Sequence, residues 1–80
     1  MKKITNLKDL LEIINKSTEG CVEGFIQLNG GLKSSKHISY NGEHLYILNL
    51  IDSSEDVLTL EEFKKSFLYD AMKKGAFFIQ

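Results

Sequence analysis

Residues 35–51 read SKHISYNGEHLYILNLI, and this stretch decides the fold. Asn41-Gly42 separates two runs with alternating apolar residues, and this pair is typical of the two-residue type I′ turn of a β-hairpin. The stretch therefore predicts two antiparallel strands, 35–40 and 43–51. The predicted pairs are Tyr40 with Glu43, Ser39 with His44, Ile38 with Leu45, and His37 with Tyr46.

The alternation of side chains gives this hairpin two different faces. The apolar face is the candidate core and carries Ile38, Tyr40, Leu45 and Ile47. The more polar face carries Ser35, His37, Ser39, His44 and Tyr46. We therefore expect the first face to be buried and the second to meet solvent or a partner.

The elements before the hairpin follow from periodicity and capping signals. Apolar residues at helical spacing predict an amphipathic helix over 6–16, with Thr5 or Asn6 as its N-cap. Residues 21–28 predict a strand, in which Gly24 marks a bulge or a close approach of the backbone. A turn is predicted to follow at Asn29-Gly30-Gly31, where Gly30 and Gly31 supply positive φ angles.

The elements after the hairpin begin with an acidic loop, 52–56. Thr59 and Glu62 then form a capping box that predicts the start of a helix. Leu58 and Phe63 add a hydrophobic staple, a break is expected near Ser66, Lys73 and Lys74 suit the helix C-terminus, and Gly75 suits the position after it. Residues 76–80 predict a last strand.

The order of elements indicates an α+β fold. We expect one domain over residues 1–80, with an antiparallel sheet of about four strands and a helix before the last strand. The N-terminal helix, 4–17, is interpreted as an addition to a core formed by residues 21–80.

Composition narrows the function classes. The 80 residues carry a net charge of −1, and all ten basic residues are lysines. Arginine supplies the bidentate contacts used to read guanine, so its absence disfavours sequence-specific DNA recognition. A single cysteine, Cys21, allows no intrachain disulfide, and no apolar run is long enough for a signal peptide or membrane span. We therefore expect a cytoplasmic location.

The glycine- and lysine-containing segment 29–40, NGGLKSSKHISY, was compared with phosphate-binding motifs. The Walker A and dinucleotide-binding patterns both need a helix after the loop, and here a strand is predicted instead. The segment is first a turn and the start of a strand. It also offers a cationic, hydroxyl-rich surface for an acidic protein or, alternatively, a nucleic acid.

Catalytic and metal-binding interpretations find little support. His37 and His44 share one face of the predicted hairpin, but two histidines do not complete a zinc site. Cys21 is a possible third ligand or a nucleophile, yet no orienting group or oxyanion motif accompanies it. The acidic residues after the hairpin do not match an EF-hand loop. We expect no enzymatic activity, no cofactor and no metal.

The segments FIQLNGGLKSSKHISYNGEHLYILNLIDSSEDVLTLEEF and AMKKGAFFI resemble a family of short phage and prophage proteins. The shared pattern is LNGGLxSSKxIxY, a strand ending N-x-I-D, then LT-x-E-E/L and a terminal K-G-A, over about residues 25–79. The resemblance implies a phage origin and action in a bacterial host cell. Small phage proteins of this kind include anti-CRISPR and other anti-defence inhibitors. A second resemblance, to PC4-like single-stranded-DNA-binding domains, lies in the strands followed by a helix that opens Leu-Thr-x-Glu-Glu.

The leading hypothesis is therefore a small inhibitor or adaptor that binds and occludes a host defence protein, such as a CRISPR effector. The alternative is a PC4-like nucleic-acid-binding module, and a homodimer is compatible with both. A protein interface needs an apolar or aromatic centre and a charged rim. The candidate partner-binding residues are Lys33, Ser35, Lys36, His37, His44, Tyr46, Asp52, Glu55 and Asp56.

Overall fold

The computed structural model describes residues 2–28 and 31–80, without the side chains at positions 28 and 32–34. The strands are β1 (Lys2–Lys3), β2 (Cys21–Leu28), β3 (Gly31–Tyr40), β4 (His44–Asn49), β5 (Glu55–Thr59) and β6 (Phe77–Ile79). The helices are α1 (Leu7–Lys16), α2 (Leu60–Phe63) and α3 (Phe67–Lys73). The predicted α+β class is confirmed.

The strands form one antiparallel sheet in the order β1-β6-β2-β3-β4-β5. It has six strands, so the expectation of about four was too low. The two additional strands, β1 and β5, are the edges of the sheet. Both begin with charged residues, which are uncommon in strands, and β5 begins with Glu55 and Asp56, the two residues that also end the predicted acidic loop.

The central hairpin has the predicted faces but a different register. Tyr40 pairs with Leu45, and Ile38 with Ile47, so the pairing is shifted by two residues from the type I′ prediction. The Asn41 side-chain oxygen accepts hydrogen bonds from the backbone N–H groups of Glu43 and His44 at 2.9 and 2.8 Å, which stabilises a different turn. A shift of two residues preserves the alternation, so the apolar and polar faces are unchanged.

The hydrophobic core lies between one face of the sheet and the helices. Its buried side chains are Ile4, Leu10, Ile14, Ile26, Ile38, Leu45, Ile47, Phe63, Leu68, Ala71, Met72, Phe77 and Ile79. Leu10 and Ile14 come from α1, so the N-terminal helix packs against the sheet of its own chain. A small domain has little surface to bury, and this cluster therefore provides most of its stability.

Gly24 of β2 makes the close approach expected there, whereas the bulge lies on the opposite strand, β3. The register with β3 shifts between Gly24 and Ile26, so Phe25 faces two residues of the neighbouring strand. A Cβ atom at Gly24 would lie 2.7 Å from Cε1 of the Phe77 ring, so only glycine admits this close packing. The predicted turn that follows β2 includes Asn29 and Gly30, which lie outside the described residues, while Gly31 begins β3.

The helix ends follow the capping signals in the sequence. Asn6 is the N-cap of α1, and the Thr59–Glu62 capping box opens α2. Ser66 caps α3, which confirms the predicted break. After α3 the N–H groups of Gly75 and Ala76 donate to the carbonyls of Met72 and Ala71, which is the Schellman pattern, and Gly75 has a φ of +75°.

Candidate functional site

The helices cover one face of the sheet, and no helix among the described residues covers the other. The buried side chains of all three helices belong to the same cluster as the inward-facing side chains of the strands. Side chains alternate along a strand, so the intervening positions lie on the opposite surface, which we call the open face. Its described members include Lys3, Cys21, Glu23, Phe25, Ser35, His37, Ser39, His44, Tyr46, Leu48, Glu55, Val57 and Phe78. None of these residues is buried.

An aromatic patch occupies one side of the open face. Phe25 of β2 lies directly opposite Phe78 of β6, and both residues are half-buried. The Nζ of Lys3 lies 5.8 Å from the centroid of the Phe78 ring, within reach of a cation–π interaction. This side of the face therefore presents two aromatic side chains on neighbouring strands, with a cation over one of the rings.

A second apolar patch lies on the other side of the open face. Tyr46 pairs with Val57 across β4 and β5, and Leu48 follows on the same face. Val57 is 47% exposed, a large value for a branched aliphatic side chain in a strand. The Tyr46 hydroxyl accepts a hydrogen bond from the Asn41 side-chain amide at 3.0 Å, which fixes the direction of the ring.

A polar row on β3 separates the two apolar patches. It consists of Ser35, His37 and Ser39. The Ser35 hydroxyl donates to a carboxylate oxygen of Glu23 on β2 at 2.7 Å. His37 is exposed and lies between Glu23 and Leu48 in the register of the sheet. The row gives the centre of the face hydrogen-bonding groups that an incoming surface can meet.

The open face brings together five of the nine predicted partner-binding residues. These are Ser35, His37, His44, Tyr46 and Glu55. Lys36 and Asp56 lie on the same strands with the opposite parity, so their side chains point toward the side of the helices. Lys33 belongs to β3, and its side chain lies outside the described part of the chain.

Asp52 lies in the turn between β4 and β5, away from the centre of the open face. Its carboxylate accepts hydrogen bonds from the Ser54 hydroxyl at 2.7 Å and the Ser54 backbone N–H at 2.9 Å. These bonds, with a smaller contribution from the charge of Lys36, lower the pKa of the Asp52 carboxyl. Asp52 therefore stabilises its own turn, which Ser53 completes with a φ of +61°.

The sequence interpretation missed the apolar members of the open face. No site prediction includes Phe25, Leu48, Val57 or Phe78. Three of them lie in predicted strands, and Val57 lies between the acidic loop and the capping box. Alternation of side chains along each strand could identify them, because each residue lies at a position that faces away from the buried side of the sheet, where Ile38 lies. This alternation can be related from strand to strand only when the strand order is known. That order places β6, the last strand in sequence, beside β2.

A groove on the helix side has different properties. It has a volume of about 600 Å³ and is lined mainly by Leu7, Leu11 and Tyr40, with Lys8, Glu12, Asn15 and Lys64 around them. The Tyr40 hydroxyl donates to the Gly42 carbonyl instead of pointing at a base. No nucleophile, base and orienting group meet among these lining residues.

The charges of the open face are mixed. Its one described lysine, Lys3, is accompanied by two carboxylates, Glu23 and Glu55, and by the imidazoles of His37 and His44.

Within residues 2–28 and 31–80, no group of three or more histidine, cysteine or acidic side chains could hold a metal ion. No helix in the same ranges is long and apolar enough to cross a bilayer. No protein-family model, curated protein or solved structure matches this chain.

Proposed function

We propose that this protein is a non-enzymatic inhibitor or adaptor that binds a partner protein through the open face of its sheet. The observation that supports this most is the surface itself: two apolar patches flank a polar row on an otherwise uncovered sheet. Sheets normally bury their apolar faces, and contiguous exposed apolar surface is a mark of interaction sites. Aromatic anchors within a polar and charged rim are the usual anatomy of a protein interface.

The charges of the open face favour a protein over a nucleic acid. Binding to a phosphate backbone requires an excess of lysine or arginine along the contact surface. Among the described side chains of this face, Lys3 is the one lysine, and Glu23 and Glu55 oppose it. Phe25, Tyr46 and Phe78 supply stacking surfaces, but stacking without cations is a weak basis for nucleic-acid binding.

The resemblance to short phage proteins suggests the class of partner. A bacterial defence protein, such as a CRISPR effector, is the target that we propose. A domain of 80 residues can inhibit by covering a functional surface of a much larger protein, because a standard interface buries only about 800 Å² on each side. Occlusion of this kind needs no catalytic group.

An affinity capture experiment tests the proposal. The protein is immobilised and exposed to lysate from a bacterium that carries CRISPR and other defence systems, with and without nuclease. The captured protein is then purified and its affinity is measured directly. We expect a stoichiometric, nuclease-resistant defence protein.

A pair of variants makes the test specific to the open face. Leu48→Lys places a charge between His37 and Glu55 on the open face, whereas Asn15→Lys adds the same side chain on α1, on the other side of the molecule. We expect Leu48→Lys to abolish binding and Asn15→Lys to retain it, with both variants folded by circular dichroism. Binding that survives Leu48→Lys would overturn the proposal. If only partners that are lost on nuclease treatment are recovered, the alternative function, a nucleic-acid-binding module, would be supported instead.

A further inference from the structure

The outer edge of β5 has unpaired backbone groups. Within residues 2–28 and 31–80, β4 is the one strand paired with β5. The Asn49 N–H donates to the Ser54 carbonyl at 2.8 Å, so at the start of the ladder Asn49 and Ser54 direct these two groups toward each other. Hydrogen-bonded and non-hydrogen-bonded pairs alternate in antiparallel sheets. Positions 56 and 58 therefore bond to β4, and positions 55 and 57 direct their N–H and C=O groups outward.

The capping box at the end of β5 agrees with this alternation. Thr59 is also an outward position, and its N–H donates to the Glu62 side chain at 2.8 Å instead of to a strand. The Glu62 carboxylate thus occupies the last outward donor of the edge. The free pairing groups are those of Glu55 and Val57, both of which are exposed.

The two edges of the sheet differ in what they offer. The opposite edge, β1, has only two residues, Lys2 and Lys3. Very short edge strands are one way in which proteins prevent unwanted pairing. Strand β5 has five residues and carries Glu55 and Asp56 at its start. It is therefore the longer template, and its charges select what can pair with it.

We propose that the outer edge of β5 is a strand-addition site for an extended, lysine- or arginine-containing segment of the partner protein. The inference rests on the proposed protein-binding function and names the chemistry of one part of the bound partner. Added strands are held by main-chain hydrogen bonds, while side chains of the strand provide specificity. Here Glu55 and Val57 provide the hydrogen-bonding groups.

Charge complementarity identifies the segment. Glu55 lies on the open face and Asp56 on the opposite face of the same strand, so basic side chains on either face of an added strand meet a carboxylate. Neither carboxylate forms an ion pair with a residue of the described ranges. An acidic segment would place like charges opposite each other, which is unfavourable across a strand pair.

A peptide titration followed by amide NMR shifts tests the site. The probe is a short capped peptide of alternating lysine and valine, and the controls are its glutamate counterpart and a version with alternate backbone nitrogens methylated. We expect the lysine peptide alone to bind, with the largest shifts at Glu55 and Val57. Loss of binding on methylation separates strand pairing from simple charge attraction.

Two variants at one position provide the matched comparison. Val57→Pro removes one outward N–H and leaves the bonds to β4 intact, which edge strands tolerate. Val57→Thr changes the side chain and keeps the N–H. We expect Val57→Pro to weaken peptide binding by about three- to tenfold, which is the effect of losing one hydrogen bond, and Val57→Thr, which keeps that N–H, to lose clearly less affinity. If Val57→Pro fails to fold, the methylated peptide decides the question with the natural chain.

The remaining outcomes would overturn the inference. Equal binding of the methylated peptide, or of Val57→Pro, would mean that charge attraction alone is measured. No binding of the lysine peptide would exclude this occupant, and self-association abolished by Val57→Pro would assign the edge to a second copy of the chain. Capture of the partner that depends on Leu48 but not on the Val57 N–H would retain the proposed function and reject the edge as its docking site.

Discussion

The two faces of the sheet come from the same strands and have opposite properties. Phe77 and Phe78 are neighbours in β6, yet Phe77 is fully buried beneath the helices and Phe78 is half-exposed on the open face. The same contrast holds for Ile38 and His37 in β3. Alternation along the strand lets one element supply buried side chains on one side and exposed or half-exposed side chains on the other. Substitutions on the two sides should therefore differ in which property they change.

The largest expected effect is a direct test of this contrast in β6. We expect Phe77→Ala to reduce the free energy of unfolding by about 3–5 kcal/mol, because a buried ring is lost and leaves a cavity. Phe78→Ala should cost about 1 kcal/mol, because its ring is only partly removed from water. Urea unfolding of both variants measures the difference. Equal losses would contradict the division of the sheet into a covered and an open face.

The second prediction concerns the tightest contact on the covered face, between Gly24 and the Phe77 ring. Gly24→Ala should destabilise the protein by about 1–3 kcal/mol, because the new methyl group meets the Phe77 ring. The double variant Gly24→Ala/Phe77→Leu should lose less than the sum of the two single variants, since the smaller side chain leaves room for the methyl group. Thermal and urea unfolding of the three variants give the coupling. Strict additivity would show that the two residues do not compete for space.

A smaller effect on stability is expected at the junction between β5 and α2. Thr59 accepts the Glu62 N–H through its hydroxyl at 3.1 Å, so Thr59→Ala removes one half of the capping box. We expect a loss of about 1 kcal/mol in the free energy of unfolding. Thr59→Ser keeps the hydroxyl and should retain most of the stability. A serine variant as unstable as the alanine variant would assign the effect to packing of the threonine methyl group.

The smallest expected effect concerns the pH dependence of the same corner. The Thr59 backbone N–H and hydroxyl lower the pKa of the Glu62 carboxyl. Its contribution to stability is therefore complete above the ordinary glutamate pKa of about 4.3 and is lost as the pH falls through the lower, folded value. We expect the melting temperatures of the natural protein and Glu62→Gln to converge from pH 7 to about pH 3.

Glu61→Gln is the control for this pH series. Glu61 lies in the same helical turn and pairs with Lys64 at 3.6 Å, but it makes no bond to Thr59. Its substitution should leave the pH dependence of unfolding close to that of the natural protein. A constant difference between Glu62→Gln and the natural protein at every pH would contradict the assigned role of the Glu62 charge.

Local signals predicted most of the fold. The capping box at Thr59, the break at Ser66 and the helix end at Gly75 depend on residues within a few positions of one another, and the structure confirms all three. The hairpin register was wrong because Asn41 uses its side chain to bond Glu43 and His44, which the preference of an Asn-Gly pair does not reveal. Strand β5 was missed because Glu55 and Asp56 are typical of loops, and the partner strand β4 overrides that tendency.

The candidate site was predicted only in part, because a surface depends on strand order. The polar face of the hairpin identified His37, His44 and Tyr46, all of which lie on the open face. Phe25 and Phe78 join them only because β6 lies between β1 and β2, and no short-range pattern encodes this placement.

The position of β6 has a consequence for how the chain acquires its structure. Strand β1 pairs with nothing but β6 among the described strands, and β6 follows every other element in the sequence. During synthesis, β1 (Lys2–Lys3) therefore cannot pair until β6 (Phe77–Ile79) has been made. Closure of such long-range pairs is entropically costly and slows folding. Until that step, β2 exposes an unpaired edge of its own, and the Phe77 position beside Gly24 is empty.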